Sequence, residues 1–157
     1  MKKSVFSPEV QTEIMSRLEK LTETTLPLWG EMNTAQMLKH VQLAFKISTG
    51  QIKVSDRSTF FTRNFLRHFL LSAKVPSLRR IERNPPMTFP EIDVQLNTTV
   101  KAGNFTTEKE NFISAFRLLA NIESFAETHP LIGKMSREDW GNHFYSHINY
   151  HFTQFGI

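Results

Sequence analysis

The chain has 157 residues, enough for one ordinary domain with a substantial core, here expected to span residues 1–157. Hydrophobic residues at 39%, charged residues at 22% and a net charge of +4 describe a globular chain whose basic excess is too small to argue for nucleic acid. There is no cysteine, which excludes disulfides, thiolate metal sites and a cysteine nucleophile. The opening MKKSVFSPEV lacks the apolar run of a secretory signal, and no stretch is long and apolar enough to cross a bilayer. A cytoplasmic protein with no membrane partner is the expectation. Fourteen phenylalanines against two tyrosines predict a core built on aromatic packing.

The first helix is predicted from Pro8, with Ser7 before it as cap and Val10, Ile14, Leu18 and Leu21 on one stripe. Pro27 and Gly30 break the pattern, and Leu26, Leu28 and Trp29 make the connecting loop apolar. Trp29 is expected to be largely buried there. Asn33 with Gln36 reads as a capping box opening a second helix, which ends near Gly50. Met37, Leu38, Val41, Ala44 and Phe45 form its apolar stripe, and His40 lies at the edge of that stripe.

Ser58 to Ala73, rich in phenylalanine and leucine, predicts a shorter helix that places His68 among apolar neighbours. Its apolar surface exceeds what one short helix needs, so self-association as a homodimer is expected. Lys74 to Asn104 is a long irregular connection with four prolines. It contains the densest basic cluster, Arg79, Arg80 and Arg83, read as solvated surface, and one alternating stretch, Ile92, Val94 and Leu96. With no partner strand in the sequence, that stretch is read as extended packing.

Thr107 with Glu110 reads as another capping box, opening a helix to about Glu127 with Phe112, Phe116, Leu119 and Ile122 along one side. The short loop HPLIGKM follows. Ser136 with Asp139 then caps the last helix, which stops at Gly156. The predicted fold is therefore all-α: a four-helix bundle with helices near 8–21, 34–49, 107–127 and 137–155, one extra short helix and a long irregular connection.

The last helix carries His143, His147 and His151, each four residues after the one before. Four residues of α-helix turn about 400° and climb about 6 Å, so these imidazoles stand above one another. Neutral imidazole is the commonest transition-metal ligand, and two at this spacing can grip one ion. His143 and His151 are roughly 12 Å apart along the axis and cannot share an ion, so the pair is either 143/147 or 147/151. At about 100° per residue, His151 falls nearest the centre of the apolar stripe, then His147, then His143, which favours the later pair. Taken singly, His68 and His129 are read as hydrogen-bonded core or surface residues. His129 could also cap the preceding helix through its dipole.

Several segments carry a resemblance. Trp29-Gly30-Glu31-Met32-Asn33, Gln36-Met37-Leu38-Lys39-His40, the loop His129-Pro130-Leu131-Ile132-Gly133 and the closing run from His147 through His151 and Gln154 to Phe155-Gly156 stand in this order. Together they resemble an uncharacterised branch of the DinB/YfiT-like superfamily of metal-binding four-helix bundles. The resemblance covers essentially the whole chain. It implies His40, His147 and His151 as ligands of one divalent transition metal, with zinc or nickel favoured and iron or manganese also compatible with three imidazoles. Where superfamily members often have a second histidine before the last ligand, this chain has Tyr150.

Three imidazoles leave coordination positions for water or substrate. The resemblance thus implies a metal-dependent enzyme acting on a small molecule, a hydrolase or a transferase of a low-molecular-weight thiol. The contrasting expectation is a non-catalytic, metal-stabilised helical binding module. Glu31, His129, His143 and Gln154 are the polar groups that could assist chemistry, Gln154 only by hydrogen bonding. Because ligand imidazoles must be neutral, metal occupancy is expected to weaken as pH falls through and below about 6.5, the free histidine value.

Overall fold

The computed structural model describes residues 3–71 and 89–157. The helices are α1 (Pro8–Glu19), α2 (Thr34–Ser48), a π-helical turn (Thr62–Leu66) running into α3 (Arg67–Leu70), α4 (Phe105–Ala120) and α5 (Arg137–Gln154). Short 3₁₀ turns occupy Pro90–Ile92 and Thr98–Val100, and a small antiparallel ribbon pairs β1 (Thr128–His129) with β2 (Gly133–Lys134). The four long helices form the expected all-α bundle. No helix among the described residues is long and apolar enough to cross a membrane.

The starts of α2 and α5 follow from capping, whereas the Ser7 side chain before α1 makes no capping bond. Asn33 accepts from the Gln36 N–H at 2.8 Å while Gln36 Oε1 accepts from the Asn33 N–H at 2.9 Å, so two orphan donors of α2 are satisfied reciprocally. Ser136 and Asp139 do the same for α5. Both boxes fix the register of the helices that carry the interesting histidines. Pro8 opens α1 at a position where its missing N–H costs nothing.

Inside, α2 packs along α4 and also touches α5, which in turn touches α1. The core is aromatic, as the composition anticipates. Phe45 of α2 meets Phe144 of α5 edge-on at 5.1 Å and Phe112 of α4 at 6.1 Å, and Phe112 reaches Phe152 at 6.1 Å. Such pairs add roughly 0.5–1.5 kcal/mol each beyond the area they bury. One polar knot fixes α4 against α2. The buried Glu108 carboxylate accepts from Gln42 Nε2 at 3.0 Å and from the Gly103 N–H at 2.8 Å.

Several expectations need correction. The third long helix, α4, starts at Phe105 rather than near 107, because Asn104, not Thr107, is the cap: its side chain accepts from the Thr107 N–H at 2.9 Å. It also ends at Ala120, well short of Glu127. The alternating stretch is not extended. Pro90 starts a 3₁₀ turn, and Asp93 Oδ1 accepts from the N–H groups of Gln95 and Leu96 at 3.0 Å each, an Asx turn that bends the chain. Ile92 and Val94 still bury, against Leu43, Ile47 and Phe89, in a second small core.

The strand pair instead forms in the HPLIGKM segment. Gly133 takes φ of +76° there, a left-handed conformation open to glycine at little cost. His68 is exposed rather than set among apolar neighbours. Trp29 is only partly buried, because its loop lies against the end of α5 instead of plugging the core. The cluster Arg79, Arg80 and Arg83, and part of the long connection, lie outside the described residues.

Candidate metal centre

α2 and α5 bring three imidazoles to one point. His40 Nε2 lies 3.2 Å from His147 Nε2, and His151 Nε2 lies 3.1 Å from the same atom. The ligand atoms of the three residues all fall within 4.8 Å of one another. His40 and His151 are buried, and His147 retains partial exposure. The helical-angle argument thus orders the α5 histidines correctly, with His151 the most enclosed.

Hydrogen bonds to the far sides of the rings fix how two of them face the cluster. Gln154 Nε2 donates to the Trp29 carbonyl at 2.7 Å, so its Oε1 is the atom facing His151 Nδ1 at 2.9 Å. His151 must therefore be protonated on Nδ1 and present a lone pair at Nε2. His40 is set in the same way, its ring donating to the backbone carbonyl of Ile92. That carbonyl is delivered by the 3₁₀ turn that packs on α2.

Two Nε2 lone pairs thus point at the Nε2 of His147, which can carry at most one proton to share between them. A cation bound by all three nitrogens satisfies every lone pair at once, with the outer partners Gln154 and Ile92 already in place. The donor set fits a divalent transition metal. The fit rests on the convergence of the three atoms, a donor set that zinc, nickel, iron and manganese can all use.

The rings are also held neutral. Burial pushes His40 down to about 4, against the opposing pull of the Ile92 hydrogen bond and the Asp93 charge. Burial, then the neighbouring His40, pushes His151 down to about 3. His147 lies well below the usual histidine value, through burial first and then its four histidine neighbours. Deprotonated imidazole at neutral pH is the state that ligates.

The row continues beyond the three. His143 stacks over His147 with ring centroids 6.0 Å apart, and His129 meets His143 edge-on at 4.8 Å. His129 sits in β1, not at a helix end, and its Nδ1 accepts from the Leu131 N–H at 3.1 Å, leaving its proton on Nε2. Burial holds His143 at about 4, and His129 well below its ordinary value with help from His143 and Arg67. Nδ1 of His143 and Nδ1 of His147 are both buried without a hydrogen-bond partner. Glu31 is exposed in the loop before α2, outside the cluster.

Sequence reasoning named the three converging histidines and counted His129 and His143 among the groups near them, but missed the role of the Ile92 carbonyl, for which there was no signal, since any residue can supply a carbonyl. Tyr150 turns out to receive the Trp29 indole N–H, its hydroxyl accepting at 3.3 Å.

The arrangement is that of a helical bundle with a three-histidine cluster able to hold one metal ion. The family model described as protein of unknown function (DUF1569) matches residues 7–156, and the chain belongs to that family. Neither the comparison with curated proteins nor that with solved structures gives a match.

Proposed function

We propose that this protein is a metal-dependent enzyme acting on a small molecule, either hydrolysing it or transferring a low-molecular-weight thiol to it. One observation carries the reading: among the described residues the cluster supplies three imidazole ligands and no fourth protein ligand. A closed structural site uses four, whereas three leave positions for water or substrate. Membership of the DUF1569 family, the four-helix bundle and the order of His40, His147 and His151 in the chain support placing that family within the DinB/YfiT-like superfamily.

His40, His147 and His151 hold the metal in this reading. When bound, it supplies a Lewis acid and lowers the pKa of a coordinated water. His143, with a buried Nδ1 lacking a partner and its ring stacked on His147, is placed to exchange a hydrogen bond with a substrate atom. His129 stands behind it, its proton held on Nε2. Glu31 drops out of the candidates by position, and Gln154 is committed to His151.

The reading is tested by turnover with metal-loaded protein, offering a small thiol with an electrophile and, separately, simple ester and amide substrates. Activity that disappears on chelation and returns with metal supports it. Metal uptake without turnover in either assay favours the metal-stabilised binding module instead. The homodimer belongs to the same proposal. Its support is the segment before α3, where Phe60, Phe61 and Phe65 are 79%, 63% and 61% exposed.

A further inference from the structure

The loop from Leu26 to Met32 reaches the candidate metal centre through one side chain. Gln154 accepts from His151 on one side and donates to the Trp29 carbonyl on the other, while its own backbone carbonyl accepts from the Leu28 N–H at 2.7 Å. The approach is tight at Gly30, where φ is +82° and a Cβ would stand 2.5 Å from Gln154 Nε2. The Trp29 indole adds a bond to Tyr150, whose ring lies 5.0 Å from that of His151.

At its C-terminal end Met32 packs against the second small core, while the start of the loop is more open. Leu26 is 81% and Leu28 66% exposed, so apolar burial contributes modestly. The same loop runs directly into Asn33, the cap of the helix that carries His40. It is therefore continuous with one ligand-bearing helix and hydrogen-bonded to the other.

We propose that the Leu26–Met32 loop and the three-histidine centre are energetically linked through Gln154, so that metal occupancy and docking of the loop stabilise one another. The proposal rests on the metal-site reading above and deepens it, with Gln154 as a positioning residue. An imidazole whose Nε2 is engaged as a ligand is a stronger Nδ1–H donor, which strengthens its bond to Gln154 Oε1. A carboxamide polarised on its oxygen is in turn a better N–H donor to the Trp29 carbonyl. By linkage, whatever holds the loop down must raise metal affinity by the same factor that the metal raises docking.

The test uses tag-free full-length protein with zinc as the probe, comparing the unmutated chain with Gln154→Ala and Gln154→Glu. Zinc affinity is read by competition with a chelating indicator, and loop docking by amide hydrogen exchange of peptides covering residues 26–32. Circular dichroism confirms that each variant is folded. Zinc should slow loop exchange in the unmutated protein. Gln154→Ala should lose about 10- to 100-fold in zinc affinity, the usual scale for removing an outer partner of a ligand histidine, and lose the zinc-dependent protection.

Gln154→Glu separates the two halves. Its carboxylate accepts from His151 but cannot donate to Trp29, so zinc affinity should fall less than in Gln154→Ala, by only the factor that loop docking contributed, and the zinc-dependent protection should be lost. Zinc binding by Gln154→Ala within about twofold of the unmutated protein overturns the proposal, as does zinc binding that leaves loop exchange unchanged. Unmutated protein that binds no zinc, nickel, iron or manganese overturns the metal reading itself. The two failures are thereby distinct.

Discussion

The two ends of the histidine row on α5 are built differently. At the His151 end every polar atom is accounted for: Nδ1 faces Gln154, Gln154 reaches Trp29, and Nε2 faces the other two ligands. At the His143 end, burial is comparable in depth but hydrogen bonding is incomplete, with Nδ1 of His143 left without a partner. A buried donor or acceptor without a partner costs about 1–3 kcal/mol. The fold thus fixes His151 through its outer partners and leaves Nδ1 of both His147 and His143 as unmet hydrogen-bonding capacity along the rest of the row. In the proposed function, water or substrate takes up that capacity.

The largest expected effect breaks the ligand end. Alanine at His40, His147 or His151 should reduce metal uptake sharply, whereas His143→Ala should leave most of it. Stoichiometry by elemental analysis reads both. If His143→Ala abolishes uptake and His151→Ala spares it, the ligand register is wrong by one turn.

Next in size is the acid sensitivity of the metal-free protein. His40, at about 4, and His151, at about 3, lie below the free histidine value of about 6.5. Above that value both folded and unfolded chains are neutral at these positions, and stability does not change with pH. Below it the unfolded chain takes up protons that the folded chain refuses, so stability falls until the folded rings titrate near 4 and 3. A tenfold difference in proton affinity between the two states corresponds to about 1.4 kcal/mol, so loss of a few kcal/mol between neutral pH and pH ~4 is expected. Denaturant midpoints across that range check it, and a flat profile would show the rings to be solvated. Burial also moves proton competition for the folded site below the free histidine value.

A smaller effect is expected at the loop. Full burial of Trp29 would put the cost of Trp29→Ala at about 3–5 kcal/mol, but partial burial brings the expectation to about 1–3 kcal/mol. Urea titration measures it. The smallest effect lies far from both ends of the row. Phe61→Ser and Phe65→Ser should leave metal uptake unchanged while weakening any dimer seen by sedimentation, and a monomer at high protein concentration removes the dimer proposal.

Legibility in the sequence followed the range of the interactions. The i,i+4 spacing of His147 and His151 is local, so periodicity exposed it, and the capping boxes at Asn33 and Ser136 were readable for the same reason. The joining of His40 to that pair depends on how α2 packs, and only the resemblance pointed to it. Thr107 with Glu110 had the right letters for a cap, yet Asn104 three residues earlier took the role. Ile92, Val94 and Leu96 alternated like a strand, but Pro90 and the Asp93 side chain turned the backbone first. His129 is the buried, hydrogen-bonded histidine that its reading taken singly expected, but it lies in the β1–β2 hairpin rather than at a helix end, because the turn at Gly133 takes it to His143.

The central claim, that His40, His147 and His151 form one metal site, is tested most directly by elemental analysis of protein purified without a histidine tag and dialysed against trace divalent metals. The account predicts one transition-metal ion per chain, reduced to near zero in His151→Ala and retained in His143→Ala. No bound metal at neutral pH in the folded, unmutated protein would contradict it.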